Sequence, residues 1–179
     1  MESNKRLLVV VDFQKDFVNG SLGFDGAEEI YPGILKRVRE YIENNDYVIF
    51  TMDTHNEEYL KTIEGKYLPI EHCIRGTEGH LVYGDELRAI SEKDSIPKIY
   101  KGKFGTLEFI NIKEKLGDLT SIELCGIDTN ICVLSNAIIC QTIFEHSEIY
   151  INRELCGSGN RELESKTFDV MRNLQMNII

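Results

Sequence analysis

Leu124-Cys125-Gly126-Ile127-Asp128-Thr129-Asn130-Ile131-Cys132-Val133 reads as the end of a strand turning into a helix. Ile122, Leu124 and Ile127 make an apolar strand-like stretch, and Gly126 breaks it. Asp128, Thr129 and Asn130 then offer N-cap oxygens before an apolar-periodic helix that runs to Phe144. A strand feeding directly into a helix is the unit of an α/β sheet. The same reading puts Cys132 in the first helical turn, where free backbone N–H groups and the positive end of the helix dipole favour a thiolate, the nucleophilic form of cysteine. The competing reading is an inert buried thiol, the commoner state of an intracellular cysteine.

Outward from this unit the pattern repeats. Nearly continuous apolar or β-branched runs predict strands over 6–12, 47–53, 95–100, 121–125 and 148–151, as expected of strands buried on both faces. Helical periods separate most of them, over 28–44, 85–93, 130–144 and 162–174, and residues 176–179 suit a terminal strand. Strand alternating with helix implies right-handed crossovers. The fold class is therefore α/β, a three-layer, doubly wound, mostly parallel β-sheet with helices on both faces, of Rossmann-like type. At 179 residues and 42% hydrophobic content the chain suits one domain over 1–179, without internal repeat or linker. Two segments break the alternation. Residues 53–84 hold Gly65, Pro69, Gly76, Gly79, His55 and His72 without a sustained helical period, and Lys101-Gly102-Lys103-Phe104-Gly105-Thr106 is a glycine-punctuated turn after a strand. A loop as long as the first is usually functional.

The opening apolar run, Leu7 to Val11, is far too short to span a bilayer and has no small-residue cleavage site, so it reads as a strand and the chain as cytoplasmic. A formal net charge of −10 without any Lys/Arg-dense run argues against nucleic acid or an anionic membrane as partner. Cys73, Cys125, Cys132, Cys140 and Cys156 are odd in number and form no C-x-x-C pair, a pattern of reduced thiols rather than of a disulfide framework or a zinc ribbon. Cys125 and Cys140 suit the core. Apolar residues on several helices leave room for a homodimer.

Ligands of parallel α/β sheets sit beyond the carboxyl ends of the strands. Asp12 follows the first strand, Asp53 and His55 the second, Lys101 the third, and Asp128 to Cys132 the fourth. A carboxylate, a metal-type pair, an amine and a thiol thus fall on one rim. Asp12 ends an apolar strand, where a carboxylate needs a partner or a task unless it caps the turn over 13–17. Lys101 alone reads as a solvated lysine; beside Asp12 and Cys132 it becomes a cation able to stabilise carboxylate and thiolate together. Asp53-Thr54-His55 projects two metal-ligand types to one side of an extended segment, with His72 available as a third ligand and Glu64 as a fourth. The alternative there is ordinary hydrogen-bonded histidines. His80 and His146 read as bystanders.

Together these residues resemble the cysteine hydrolases of the isochorismatase-like superfamily, and most of all its nicotinamidases, over nearly the whole chain. Val10-Val11-Asp12-Phe13-Gln14-Lys15-Asp16-Phe17 resembles the opening strand and aspartate motif. Asp53-Thr54-His55 followed by His72-Cys73-Ile74-Arg75-Gly76-Thr77-Glu78-Gly79 resembles the metal segment, Tyr100-Lys101-Gly102 the lysine, and Gly126 to Val133 the nucleophile motif. The resemblance implies Asp12 as general base, Lys101 as electrostatic partner and Cys132 as nucleophile. It implies Asp53, His55 and His72 as metal ligands, with Glu64 a further one in some members. Backbone N–H groups of Asp128 and Cys132 would form an oxyanion hole, with a cis peptide before Asp128. Phe13 would stack on substrate, although core packing explains that residue equally well.

The cofactor so implied is one divalent metal, zinc first, with manganese or iron also suited to Asp, His and Glu donors. The implied activity is deamination of nicotinamide to nicotinate and ammonia through a thioester. One alternative keeps Asp12, Lys101 and Cys132 but acts on another small amide or a carbamoyl compound. A non-enzymatic alternative, a metal-binding or thiol redox module, is opposed by the complete set of reactive residues. Two departures bear on the substrate. No aromatic residue precedes the third ligand closely, since the run is Leu68-Pro69-Ile70-Glu71-His72 after Tyr67 and the chain has no Trp, and Cys156-Gly157-Ser158-Gly159-Asn160 lacks the later histidine.

Overall fold

Leu7, Leu8, Val9, Val10 and Val11 are all fully buried in strand β1 (Arg6–Val11), because helices cover both faces of the sheet that this strand centres. The structure, a computed structural model, describes residues 5–179; residues 1–4 of the expected domain lie outside the described residues. Along the chain follow α1 (Lys15–Val18), α2 (Tyr31–Glu43), β2 (Tyr47–Asp53), α3 (Ile63–Tyr67), α4 (Asp85–Ser91) and β3 (Lys98–Lys101). Then come α5 (Phe109–Leu116), β4 (Ser121–Ile127), α6 (Leu134–Ile143), β5 (Glu148–Gly157), α7 (Arg161–Asn173) and β6 (Asn177–Ile178). Among the described residues the six strands of the sheet are all parallel, in the order β3-β2-β1-β4-β5-β6.

Alternate residues of β1 feed opposite layers. Leu7, Val9 and Val11 pack with Phe109, Ala137 and Phe168 from α5, α6 and α7, while Leu8 and Val10 pack with Ile34, Val38 and Leu87 from α2 and α4. The three-layer, doubly wound sheet expected from the alternation is the architecture found. Strand order reverses between β1 and β4, so their carboxyl ends open the crevice where such sheets bind ligands. Among the described residues no helix is long and apolar enough to cross a membrane.

Several elements differ from the sequence reading. β5 continues to Gly157 although Asn152-Arg153-Glu154 ends its apolar run, because its ladder to β4 resumes after a register shift, pairing Gly126 with Cys156 and Ile127 with Gly157. β3 starts at Lys98 rather than 95, after Pro97, which cannot donate to a ladder. Helix 28–44 divides into a tight turn over Glu28–Ile30 and α2, with Pro32 in the first helical turn. α5, which was not expected, buries Phe109 and Ile112, packs Leu116 at the edge of the core and leaves most of its remaining surface to solvent. The segment 53–84 contains one tight turn, Tyr59–Lys61, and the short α3, whose N-cap Thr62 Oγ1 accepts the Gly65 N–H at 3.0 Å.

Candidate active site

Gly126 sets the approach of β4 to β1. It has φ +117°, and a Cβ there would lie 2.1 Å from the Val11 carbonyl oxygen. Only glycine allows this contact, which brings Asp128 to Cys132 beside the residue following β1. The Ile127–Asp128 peptide is cis. Thr129–Val133 then forms a wide π-type turn before α6, so Cys132 stands in that turn rather than in a regular α-helix. Asp12 takes φ +46°, a left-handed conformation that Asp tolerates better than most side chains.

Three side chains distant in sequence converge here. Lys101 Nζ lies 2.6 Å from Asp12 Oδ2 and 3.7 Å from Cys132 Sγ, and it donates to the Lys103 carbonyl at 2.9 Å. Thr51 Oγ1 donates to Asp12 Oδ1 at 2.7 Å. Asp12 is fully buried, with Lys101 and Cys132 5% and 7% exposed, so these charges interact with little screening by water. Burial raises the Asp12 carboxyl above the ordinary carboxylate range against the pull of Lys101. Burial opposes the Lys101 ammonium, but the charges of Asp12, Cys132 and Asp53 outweigh it and hold the lysine protonated. Burial, then the Asp12 charge, pushes the Cys132 thiol well up despite Lys101. The resting group is therefore a thiol, and the preference of a helical first turn for thiolate is outweighed.

Asp53, His55, Glu64 and His72 gather beside these three, with one ligand atom from each lying within 4.8 Å of the others. Asp53 Oδ2 is 2.9 Å from His55 Nε2 and 3.3 Å from His72 Nε2, while Glu64 Oε1 is 3.8 Å from both nitrogens. A parallel bridge between His55 and Ile74 folds the distant His72 back onto the end of β2. His72 Nδ1 lies 2.8 Å from the Ile70 carbonyl, which directs Nε2 inward. Burial works against the Asp53 charge, but hydrogen bonds from His55 and His72 and the Lys101 charge leave its carboxyl well below the usual range. Burial likewise opposes charge on His72, and Asp53 with the Ile70 carbonyl outweighs it and raises the imidazole. Two imidazole nitrogens and two carboxylates, buried and convergent, are a donor set that fits a divalent metal ion. Asp53 Oδ1 is also 3.7 Å from Lys101 Nζ, linking the two groups.

A family model described as the Isochorismatase domain matches residues 6–179. The chain belongs to the isochorismatase family. Over 166 residues, 88% of this chain and 89% of its relative, it is 28% identical to a protein described as the uncharacterized isochorismatase family protein PncA of Bacillus subtilis (strain 168). The crystal structure of nicotinamidase PncA from Bacillus subtilis is similar at TM-score 0.84 and 25% identity, covering 97% of this chain and 98% of that one. That of the pyrazinamidase/nicotinamidase from Streptococcus mutans UA159 is similar at TM-score 0.85 and 25% identity, covering 98% and 100%.

In this isochorismatase-family hydrolase, Cys132, Asp53, Glu64 and His72 open onto a cavity of 250 Å³. Its apolar wall includes Phe17, Leu22, Leu68, Phe104 and Ile131. Phe13 is not part of that wall. It is 1% exposed and packs edge-on against Tyr83 at 5.9 Å, because the chain after Asp12 turns to pair Gln14 with Val82. The aromatic faces at the cavity are Phe17 and Phe104 instead, the first one helical turn beyond the position read from sequence and the second in the glycine-punctuated turn. Gln14 was also missed. Its buried amide donates to the Asp53 and His80 carbonyls at 2.9 Å each and accepts the Asp53 N–H at 2.8 Å, tying three segments together. The only signal for it in sequence was a polar residue amid apolar neighbours. Tyr59, whose ring packs against His55 and His72 at 4.7 and 4.8 Å, carried no signal. His80 stands outside the metal-type group, 2.9 Å from Thr54 Oγ1 and stacked on Tyr100, and His146 is exposed.

Proposed function

We propose that this hydrolase is a metal-containing cysteine amidohydrolase that deaminates nicotinamide to nicotinate and ammonia, acting in the cytoplasm and feeding NAD salvage. The observation that carries the reading is one buried ammonium, Lys101, in contact with both the Asp12 carboxylate and the Cys132 sulfur. Similarity to two nicotinamidase structures supports the substrate, and five unpaired buried cysteines suit a reducing compartment.

In this reading Asp12 takes the S–H proton of Cys132 as the sulfur bonds to the carbonyl carbon of the primary amide. The carbonyl oxygen takes up negative charge between the backbone N–H groups of Asp128 and Cys132. A carboxyl already raised by burial holds the proton it has taken, then passes it to the amide nitrogen. The C–N bond breaks, ammonia leaves and a thioester remains. Asp12 next takes a proton from water as the water oxygen bonds to the acyl carbon; the C–S bond breaks, sulfur regains the proton and the acid departs. Throughout, Lys101 balances the negative charge passed between Asp12 and Cys132. Asp53, His55, His72 and Glu64 would hold the cation, and their donor types suit zinc, manganese or iron. Bound there, it supplies Lewis-acid chemistry that orients and polarises a ligand. Phe17 and Phe104 would flank the ring.

The test is ammonia release from nicotinamide by purified protein of measured metal content, with nicotinate formed in equal amount. Release from a carbamoyl amine but none from nicotinamide would keep the thiol mechanism and change the substrate. No release from any amide would remove the reading.

A further inference from the structure

The side chain of Asp128 has no part in the mechanism above, which uses only its backbone N–H. It nevertheless lines the cavity with Cys132, and among the described residues it makes no hydrogen bond or ion pair. The neighbouring acids are all engaged. Asp12 and Asp53 share Lys101, and Glu64 pairs with Lys103 at 3.1 Å. Glu164, packed behind the turn, accepts from Thr129 Oγ1 at 2.7 Å and pairs with Arg161 at 3.1 Å. Neither lysine nor arginine lines the cavity among the described residues. Asp128 is thus the one acid there without a compensating partner.

We propose that the Asp128 carboxyl contacts substrate and sets specificity by charge: it turns away single-ring amides that carry a carboxylate and favours those that carry a positive charge or an N–H donor. The inference rests on the amide-hydrolase reading of this site. A partly buried carboxyl that lines the cavity without a partner is satisfied by a donor or cation on the ligand, whereas a ligand anion meets repulsion or must force a further proton onto the pair. Rejection of one class by a built-in unpaired charge is a common route to specificity. Desolvation, with the charges of Glu164 and Asp12, lifts this carboxyl to about 7. It therefore lies close to the balance that a bound charge would tip. A volume of 250 Å³ admits one ring with its amide and little more.

The experiment uses Cys132→Ala protein, which binds without turnover, and the same protein carrying Asp128→Asn or Asp128→Ala, all at equal metal content. Asn retains the backbone N–H and the side-chain shape, and Ala serves if Asn perturbs folding, as judged from melting curves. Calorimetry measures binding of three single-ring amides, one cationic, one neutral and one anionic: ring-N-methylated nicotinamide, benzamide and meta-carboxylated benzamide. Expected is a cation-over-anion affinity ratio that falls about tenfold or more when Asp128 is replaced, the scale of one poorly screened charge contact. A ratio that moves less than about twofold, while the chain with Cys132 intact still releases ammonia from benzamide, overturns the role of Asp128 alone. Absence of binding and of ammonia release for all three overturns it together with the reading beneath it.

Discussion

Cys132 rests as a thiol because burial and the Asp12 charge together outweigh Lys101, so the proposed attack by its sulfur depends on a proton moving to Asp12 within the site. Cys132→Ala should therefore lower ammonia release by at least about a thousandfold while leaving the melting curve cooperative; a variant retaining the parent rate would remove the nucleophile assignment. Asp128 makes a second prediction at this scale. Its carboxyl titrates at about 7 in the folded protein, against about 4 for an exposed aspartate. Between those values the folded chain holds a proton that the unfolded chain has released. Stability is therefore lost as pH rises through that window and regained as it falls. Asp128→Asn removes the loss, so it should stabilise the protein by up to about 4 kcal/mol above pH 7, with the gain vanishing below about pH 4. Parallel stability curves for the two proteins across that range would contradict this. Asp12, Lys101 and Cys132 were legible in sequence because strand ends converge whatever their loops do. Phe17 and Phe104 were not, because which aromatic ring faces the cavity depends on the path of the chain after Asp12 and through the turn at Gly102 to Gly105.

Among the elements, the junction from β4 into α6 is where sequence and geometry constrain one another most. Gly126→Ala would place a methyl group 2.1 Å from the Val11 oxygen at φ +117°, and neither backbone can yield without moving Asp12 or Cys132. The expected cost is at least about 3 kcal/mol, read as a lower denaturant midpoint at unchanged slope. Gly117 provides the contrast. It also has positive φ, +72°, but open space beyond it, so Gly117→Ala should cost less, about 2 kcal/mol from backbone conformation alone. Equal losses for the two would show that conformation, not the close approach to β1, governs Gly126. Elements with long apolar periods, such as β1, β2 and α2, were readable because burial writes itself into the pattern. The far half of β5 was not, since the polar residues 152–154 end the apolar run where the register shifts, before the ladder to β4 resumes at Cys156. α5 was missed because only Phe109 and Ile112 of its eight residues are buried. The wide turn at Thr129–Val133 has no periodicity to betray it.

Across the whole molecule, the long segment 54–84 is fastened to the ends of β1 and β2 by contacts that converge on Asp53, His55, Glu64 and His72. The Asp16 carboxylate accepts the Cys73 N–H at 2.7 Å, the His55 N–H donates to the Cys73 carbonyl at 3.0 Å, and Gln14 bridges Asp53 and His80. Its length and its histidines already set the segment apart in the sequence. Its closure around Glu64 could not be read there, since that rests on α3 and its Thr62 cap. If these four side chains hold one divalent ion, the ion binds the folded chain and not the unfolded one, and it must stabilise the protein by mass action. Chelator-treated protein should melt lower than the parent, and zinc should restore the midpoint with saturation at one equivalent per chain. His72→Ala should abolish the saturable step, while Glu64→Gln should weaken it by about tenfold, in the range found when a supporting carboxylate is lost. Binding should also weaken as pH falls, because Asp53 raises His72 and a proton on that imidazole competes with the metal. A verified metal-free sample with the same melting point and the same affinity for amides as the parent would rule out both a structural and a substrate-orienting ion, leaving Asp12, Lys101 and Cys132 to account for the chemistry unaided.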